Sequence, residues 1–209
     1  MKGATCSGGA GADDTGIVFA TAELQARELR ADEVPLVQAL FDANPGYFQI
    51  VNHRPAGPDE AQCEFDEVPP PHLSWSRRWF LGLFLPDGTL VGLTIVVSDL
   101  CAPRVWHLAL LLLATRLHGQ GVAQRGYDAL EAWVRAEGAH WLRLGVVRAN
   151  TRARRFWQRQ GFHDLRRRDG VDTGGHLNDL FTCCKPLAGG SVDEYLALVP
   201  RDAPGSILP

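Results

Sequence analysis

Residues 105–123 read VWHLALLLLATRLHGQGVA and connect a buried strand to a glycine-containing loop and the start of a helix. The first nine residues form an apolar run of strand length, which is typical of a strand buried on both faces. Residues 119–138 then follow the helical period, with one apolar face formed by Val122, Ala123, Tyr127, Leu130, Trp133 and Val134. Gly119 and Gly121 therefore lie where a strand passes into a helix.

This glycine loop has the chemistry of an anion site. The first turn of a helix carries unpaired backbone N–H groups and the positive end of the helix dipole. Glycine permits a sharp turn and a close approach of the backbone to an anion, because it has no Cβ. A plain turn between a strand and a helix uses the same residues, so the loop alone leaves both interpretations open.

A second informative stretch, NTRARRFWQRQGF, occupies residues 150–162 and follows a predicted strand at 140–147. Asn150 is a favourable residue for the N-cap of a helix, and Gly161 is typical of a helix C-terminus. Ala153, Phe156 and Trp157 recur at helical spacing and are expected to pack inward. The stretch therefore predicts a short helix between two strands.

In this order, HGQGVA (118–123) and NTRARRFWQRQGF (150–162) resemble the coenzyme A signature of the GNAT family of N-acetyltransferases. The resemblance implies direct transfer of an acetyl group from acetyl-CoA to an amine of a small molecule or peptide, without a metal. It also implies one α/β (α+β) domain over residues 21–187. The central sheet would be mixed and mostly antiparallel, with six to seven strands, one splayed strand pair and flanking helices.

The resemblance also implies which residues contact the cofactor. In the family, the pantetheine arm enters the gap between the splayed strands and pairs with backbone groups like an added strand. The matching strand positions here are Leu111, Leu112 and Leu113. The matching positions in the two motifs are His118, Gly119, Gln120, Gly121, Val122, Ala123, Asn150 and Trp157.

Two positions depart from the family's pattern. His118 stands where Arg or Gln is usual, and we interpret it either as a donor to the cofactor or as a solvated loop histidine. Trp157 stands where many members carry a tyrosine proposed to protonate the departing thiolate, and an indole N–H does not titrate in this range. A free thiol has a pKa of about 8.5, so a thiolate can leave near neutrality without a strong acid.

The acceptor amine must be neutral to attack, so a proton must be removed from an ammonium group with a pKa of about 10.4. His107, near the start of the strand that leads to the glycine loop, is the first candidate for this base, and Asp99 is the second. A histidine base predicts that activity rises through a pKa of about 6–7. A satisfied core or rim histidine and a solvated loop carboxylate are the structural alternatives.

The acceptor pocket is predicted to be lined by Tyr47, Phe48, His53 and Trp106. Ordinary core packing explains Phe48 and Trp106 equally well. The arginines at 152, 154, 155 and 159 are interpreted as a solvated helix face, from which one side chain could meet the 3′-phosphate of coenzyme A. The run RRR at 166–168 is interpreted as an exposed strand.

Composition and charge limit the function classes. The chain has 209 residues and a formal net charge of −3, which argues against nonspecific nucleic-acid binding. No apolar run approaches the roughly 20 residues needed to span a bilayer, and the first residues lack the apolar core of a signal peptide. We therefore expect a cytoplasmic protein of bacterial type without nucleic-acid or membrane partners, and a homodimer stays open. The five cysteines show no CxxC spacing, and Cys183 and Cys184 are interpreted as buried free thiols.

The remaining segments fit one domain. Residues 1–20 are predicted to be flexible, and residues 188–209 are predicted to be a C-terminal tail with a helical piece at 191–199. Helices are predicted from Asp32 to about Ala43, where the NPG sequence at 44–46 ends the helix, and at 58–67. Further strands are predicted at 24–30, 78–85, 89–97, 162–169 and 176–187.

Two other functions stay open at this point. A catalytically inactive member of the family would bind acyl-CoA as a sensor or scaffold, and the departures at His118 and Trp157 are compatible with that role. An unrelated α/β protein that binds a nucleotide or phosphate would explain the glycine loop alone. The sequence does not contain the P-loop pattern GxxxxGK[ST].

Overall fold

A computed structural model describes residues 16–173 and 176–208, and these residues form one eight-stranded sheet with six α-helices. The strands are β1 Ile17–Ala20, β2 Gln25–Glu28, β3 Arg78–Phe84, β4 Leu90–Val97, β5 Val105–Leu113, β6 Trp141–Val147, β7 His163–Asp172 and β8 Leu177–Pro186. The helices are α1 Val34–Asp42, α2 Pro45–Val51, α3 Glu60–Asp66, α4 Val122–Ala136, α5 Thr151–Arg159 and α6 Val192–Leu198. None of these helices is long and apolar enough to cross a membrane.

The predicted fold class is confirmed, with one strand more than expected. The strands lie in the order β1-β2-β3-β4-β5-β6-β8-β7, and only the β5–β6 pair is parallel. The additional strand is β1, which pairs with β2 inside the segment predicted to be flexible. Four residues carry too weak an alternation to be recognised alone, and β1 is held by contacts such as the stacking of Phe19 on Trp133 at 5.8 Å. Residues 1–15 of the same segment lie outside the described residues.

The two middle strands of the sheet separate part of the way along. β5 and β6 pair from Val105 with Trp141 to Leu108 with Leu144, and no farther. Beyond that point β5 stays paired with β4, and β6 stays paired with β8 up to Val147. β5 has a bulge at Ala109, where the strands begin to separate. Leu108 pairs with Val96 while Leu110 pairs with Ile95, so Ala109 has no partner in β4. The predicted splayed pair is thus β5 and β6.

The sheet is covered on both faces. One side, here called the α4 face, packs side chains such as Leu108, Leu142 and Leu144 against α4 and α5. The other side, here called the α1 face, packs Ile95 and Leu110 against α1 to α3. Strands alternate their side chains between the two faces, so strands buried on both sides read as continuous apolar runs.

Helix α2 was not predicted, because the NPG sequence at 44–46 was interpreted only as a helix stop. Pro45 instead occupies the first helical position of α2, where its missing N–H and its fixed φ are favourable. Asn44 connects this corner to the end of β5, because its Nδ2 donates to the Leu40 carbonyl at 2.6 Å and its Oδ1 accepts from the Thr115 N–H at 2.7 Å. The helix corner is therefore tied to the strand that borders the gap.

The C-terminal segment, predicted to be a tail after residue 187, packs on the sheet. Tyr195 and Val199 are buried against Val105 and Trp141 on the α1 face. Asp202, just after α6, is fully buried. The segment was predicted as a tail because its helix is short, and only its docking on β5 and β6 shows its role.

Candidate active site

The gap between β5 and β6 exposes backbone groups inside an otherwise closed sheet. The edge of β5 from Leu110 to Leu113 has no strand beside it on the β6 side, and Gly145 to Val147 form the facing edge. Ala109 and Gly145 are exposed although they lie in central strands. A Cβ added to Gly145 would meet only the Leu180 side chain, at 3.9 Å. The gap therefore opens to solvent between two small residues.

The glycine loop lies at the wide end of this gap and adopts the predicted conformation for a helix start. Gly119 and Gly121 have φ values of 79° and 77°, which favour glycine. No side chain of the described residues caps α4, so the N–H groups of its first turn are available to a ligand. Arg125 lies above the loop, where it pairs with Glu23 at 2.7 Å and donates to the Gln120 carbonyl. The loop thus combines backbone donors with a nearby guanidinium.

His118 places a second polar group at this loop. Its Nε2 lies 2.8 Å from the Leu113 carbonyl oxygen, and because a carbonyl only accepts, Nε2 carries the proton. The other ring nitrogen, Nδ1, is buried and has no partner among the described residues. A proton on Nδ1 would make a charge-assisted donor, so this unpaired atom fits a bound phosphate. The interpretation as a solvated loop histidine is not supported.

Asn150 forms the predicted cap of α5. Its Oδ1 accepts from the Ala153 N–H at 3.1 Å, and its Nδ2 has no hydrogen-bond partner in the described part of the chain. Trp157, by contrast, is buried among Tyr127, Phe156 and Phe162. We therefore place Trp157 in the core between α4 and α5, because the inward face of a short amphipathic helix is occupied by neighbouring aromatic rings.

The structure contradicts the role predicted for His107. Arg143 of β6 donates from Nη1 to His107 Nδ1 at 3.3 Å, and because guanidinium has no acceptor, Nδ1 must be unprotonated. Burial lowers the pKa of His107, and the charge of Arg143 lowers it further, to about 3. These contacts favour a neutral ring with its proton on Nε2, and they do not favour the expected titration at 6–7. The sequence could not show that β6 places an arginine beside this histidine.

Asp99 has a structural partner. It lies in the turn between β4 and β5 with a φ of 54°, and its Oδ1 accepts from the Arg104 N–H at 2.6 Å. Short polar side chains tolerate this conformation and stabilise such turns by local hydrogen bonds. This geometry favours a structural role for Asp99 in the turn, which agrees with its alternative interpretation as a loop carboxylate.

The four residues predicted to line the acceptor pocket fall into two groups. Tyr47 is partly buried on α2, and the His53 ring stacks on His176 at 4.2 Å, which joins the end of α2 to the β7–β8 hairpin on the α1 face. Phe48 is buried in the core. Trp106 is buried on the α4 face against Trp79, because it alternates with His107 along β5. Phe48 and Trp106 are therefore core residues.

A carboxylate that sequence reasoning missed lies beside Tyr47. Glu64, near the end of α3, is partly buried, and its carboxylate has no hydrogen-bond partner among the described residues. Burial raises the pKa of Glu64, and Glu67 raises it further against the charge of Arg78, to about 7. Glu64 and Glu60 in turn add to the effect of burial in raising the pKa of Tyr47. Only the fold brings α3 over this face, so the sequence carried no signal for this residue.

Arg78 fixes the position of Glu64 relative to the sheet. Its guanidinium donates to the backbone carbonyls of Glu64 and Phe65. In the sheet register, Arg78 pairs with Val97, which pairs with His107. These paired side chains share the α1 face. Glu64 is therefore held over the same face as the opening at Ala109. Residues 16–173 and 176–208 contain no group of three or more His, Cys, Asp or Glu side chains that could hold a metal ion.

The chain forms one α/β domain whose sheet opens between two central strands, beside an uncapped helix with glycines at its start. This architecture is typical of acyltransferases that use acyl-CoA. The model of the acetyltransferase (GNAT) family matches residues 37–162, and the chain belongs to this family. It is by that membership an acyltransferase, of a family that uses acetyl-CoA.

Solved structures share the fold at low sequence identity. An acetyltransferase from Thermus thermophilus superposes with a TM-score of 0.61 at 23% identity, over 78% of this chain and 97% of that chain. A ribosomal-protein-S18-alanine N-acetyltransferase from Escherichia coli gives 0.58 at 15% identity, over 81% and 97%. A spermidine N-acetyltransferase from Vibrio cholerae, in complex with CoA and spermine, gives 0.60 at 14% identity, over 80% and 98%.

Proposed function

We propose that this protein is an acetyl-CoA-dependent N-acetyltransferase that transfers acetyl directly to an amine of a small molecule or peptide. The observation that carries the proposal is the continuity of the β5–β6 gap with the glycine loop at the start of α4. A gap bordered by free backbone groups suits an extended amide-containing arm. An uncapped helix start suits a diphosphate. The two features lie in sequence along β5, as one long ligand requires.

The residues present fit this cosubstrate, which supplies an activated acetyl thioester. The backbone of Leu111, Leu112 and Leu113 would pair with the pantetheine arm. The diphosphate would be held by backbone N–H groups of the loop and of the first turn of α4, with His118 Nδ1 as a further donor. The loop and first-turn residues in this role are Gly119, Gln120, Gly121, Val122 and Ala123. Asn150 Nδ2 would donate from the β6 side of the gap.

The reaction needs a base and a donor to the thioester carbonyl. A backbone N–H at the bulge of β5 would stabilise the negative charge that develops on the carbonyl oxygen. We assign the proton acceptor to Glu64, because it is unpaired, lies over the α1 face and has a pKa of about 7. A base that titrates near the working pH is well matched to this task. Trp157 is not available as an acid, so the thiolate would leave with hydrogen bonds alone.

Substitution of Gly121 tests the proposed cofactor site. A Cβ at Gly121 would lie 2.6 Å from Arg125 Nη1, and a positive φ is strained for valine. Gly121→Val should therefore strain the loop, move the Arg125 side chain and crowd the proposed diphosphate, which should weaken coenzyme A binding by at least about tenfold, or 1.4 kcal/mol. The matched control is Gly88→Val in the β3–β4 turn, where φ is 82° and a Cβ would meet nothing within 4 Å. Calorimetry that gives equal affinity for both folded variants would contradict the proposed site.

An inactive acyl-CoA sensor is the second candidate function, favoured by the neutral His107 and the buried Trp157. The two functions share the cofactor site and differ in turnover. A library of small amines and peptides, screened by release of free coenzyme A thiol, separates them. Acceptor-dependent release that Glu64→Gln abolishes would support the enzyme. Tight acetyl-CoA binding without release for any acceptor would support the sensor.

A further inference from the structure

A cluster of guanidinium groups on the α1 face has too few negative partners. Arg143, Arg166 and Arg201 lie close enough to Arg168 to lower its pKa, Arg166 donates to the Arg201 carbonyl, and Asp202 is the carboxylate among them. Asp202 is paired with Arg143, which donates from Nε to Oδ2 at 2.7 Å and from Nη2 to Oδ1 at 3.0 Å. Four positive charges and one negative charge leave a local excess of three. The run 166–168 was predicted to be exposed, but Arg166 and Arg168 are partly buried.

Two of these arginines, Arg168 and Arg201, form no salt bridge with any carboxylate in the described part of the chain. Arg168 makes no hydrogen bond or ion pair with any described residue, and burial lowers its pKa, as do Arg201, Arg143 and Arg166. Arg201 has a buried Nε without a hydrogen-bond partner among the described residues, and its Nη1 donates to Cys101 Sγ at 3.6 Å. A partly buried guanidinium without a counter-charge is costly. By contrast Arg167, which alternates to the α4 face, pairs with Asp169 and Asp179.

The cluster lies beside the opening of the gap. Arg166 pairs through Thr182 with Gly145, and Arg168 pairs through Leu180 with Val147. These two positions of β6 are the ones that have lost β5 as a neighbour. β7 lies two strand spacings from β6, which amounts to roughly 10 Å. An extended arginine side chain on β7 and a small ligand above Gly145 can span this distance. The glycine loop lies beyond the other end of the unpaired part of β5, so these arginines are separate from the proposed diphosphate site.

We propose that Arg168 and Arg201, supported by Arg166, bind a carboxylate or phosphate group of the acceptor, so that the acceptor is an amine that also carries an anion. Arginine is suited to this role, because its planar fork pairs with either anion through two hydrogen bonds. The same charges disfavour a polycationic amine at this end of the site. The C-terminal segment contributes Arg201 and the Asp202 that holds Arg143, so it takes part in acceptor binding. This inference rests on the proposed acetyl transfer.

Turnover with matched acceptors tests the inference. We would compare amino acids with their amides, which lack the carboxylate charge, and O-phosphoethanolamine with ethanolamine, by release of coenzyme A thiol. In at least one of these pairs, we expect kcat/KM for the anionic acceptor to exceed that for its neutral counterpart by at least about tenfold. Arg168→Gln should lose this preference. The control Arg167→Gln should keep both activity and preference. A preference for the neutral members or for spermidine, or an unchanged preference in Arg168→Gln, would overturn the inference.

A binding measurement keeps the inference testable if none of these acceptors is turned over. Thermal unfolding of the protein saturated with coenzyme A would be followed with inorganic phosphate or succinate, at ionic strength matched with NaCl. We expect a rise in Tm for the wild type and Arg167→Gln, and no rise for Arg168→Gln or Arg201→Gln. Equal responses of Arg167→Gln and Arg168→Gln would refute the anion site. Failure of coenzyme A to bind would instead refute the proposed function. The anion site would then be tested by the same Tm measurements on the protein without coenzyme A.

Discussion

Arg143 and His107 face each other across the paired part of β5 and β6, and the arginine decides the chemistry of the histidine. The guanidinium of Arg143 donates to His107 Nδ1 at 3.3 Å while it forms two hydrogen bonds with Asp202. Because Nδ1 is occupied, Nε2 carries the ring proton. His107 can donate a hydrogen bond from Nε2, and its occupied Nδ1 is not free to accept the proton of the amine.

Replacement of His107 should therefore leave the pH dependence of the enzyme unchanged. We expect His107→Gln to lower kcat by less than about tenfold, in place of the roughly hundredfold loss expected for a general base. The ring is neutral across the working range, because its pKa is about 3. The measurement is kcat/KM against pH for both proteins with one acceptor. Loss of the acidic limb in His107→Gln would contradict the assignment.

Glu64 should account for that acidic limb. Activity of the wild type is expected to rise with pH through about 7, because the carboxylate becomes a base as it ionises. Glu64→Gln should remove the limb and lower kcat by roughly a hundredfold. Asp66→Asn is the control, because Asp66 is an exposed carboxylate at the end of the same helix. An unchanged limb in Glu64→Gln would assign the base elsewhere.

Glu64 should also affect stability in a pH-dependent way. Its pKa is higher in the folded than in the unfolded protein, so the folded state binds more protons between about 4.5 and 7. Its contribution to stability is therefore present below the unfolded pKa and is lost as pH rises through the folded pKa. Compared with the wild type, Glu64→Gln should lose less stability between pH 5 and 8, as measured by urea unfolding. A parallel loss in both proteins would show that Glu64 is not desolvated.

Asn150 should serve both α5 and the cofactor. Asn150→Ala removes the hydrogen bond to the Ala153 N–H and should cost about 1 kcal/mol of stability. Asn150→Asp keeps this cap but replaces the Nδ2 donor by a charged oxygen near an anionic ligand. We therefore expect Asn150→Asp to melt near the wild type and to raise the KM for acetyl-CoA. A normal KM in this variant would show that Asn150 is a cap alone.

The pair formed by Arg143 and Asp202 should anchor the C-terminal segment. The two side chains are 9% and 0% exposed, and Tyr195 also donates to Asp202, at 2.7 Å. Asp202→Asn leaves a buried arginine without a counter-charge, which typically costs about 3 to 5 kcal/mol. The check is the free energy of unfolding in urea, with the exposed Asp193→Asn of α6 as a control. Equal stabilities of the two variants would show that the segment docks without this pair.

The sequence alone determined the elements that depend on local pattern. VWHLALLLL predicted β5, because a run of nine residues with eight apolar ones is typical of a central strand covered on both faces. Gly121 predicted the start of α4, because a positive φ next to a helix N-terminus favours glycine. Asn150 predicted the start of α5, because its short side chain caps a helix. These features are set by neighbours within a few residues, so the family resemblance and the cofactor loop were readable from the order of motifs.

Only the tertiary structure brings together the residues of the proposed acceptor side of the site. His107 looked like a base until β6 placed Arg143 beside it, and Glu64 attracted no attention until α3 folded over the α1 face. Arg168 and Arg201 are 33 residues apart in the chain, and they form one cluster because the C-terminal segment docks on the sheet beside β7. Protonation state, burial and charge excess depend on groups that are distant in sequence, so local pattern cannot specify them.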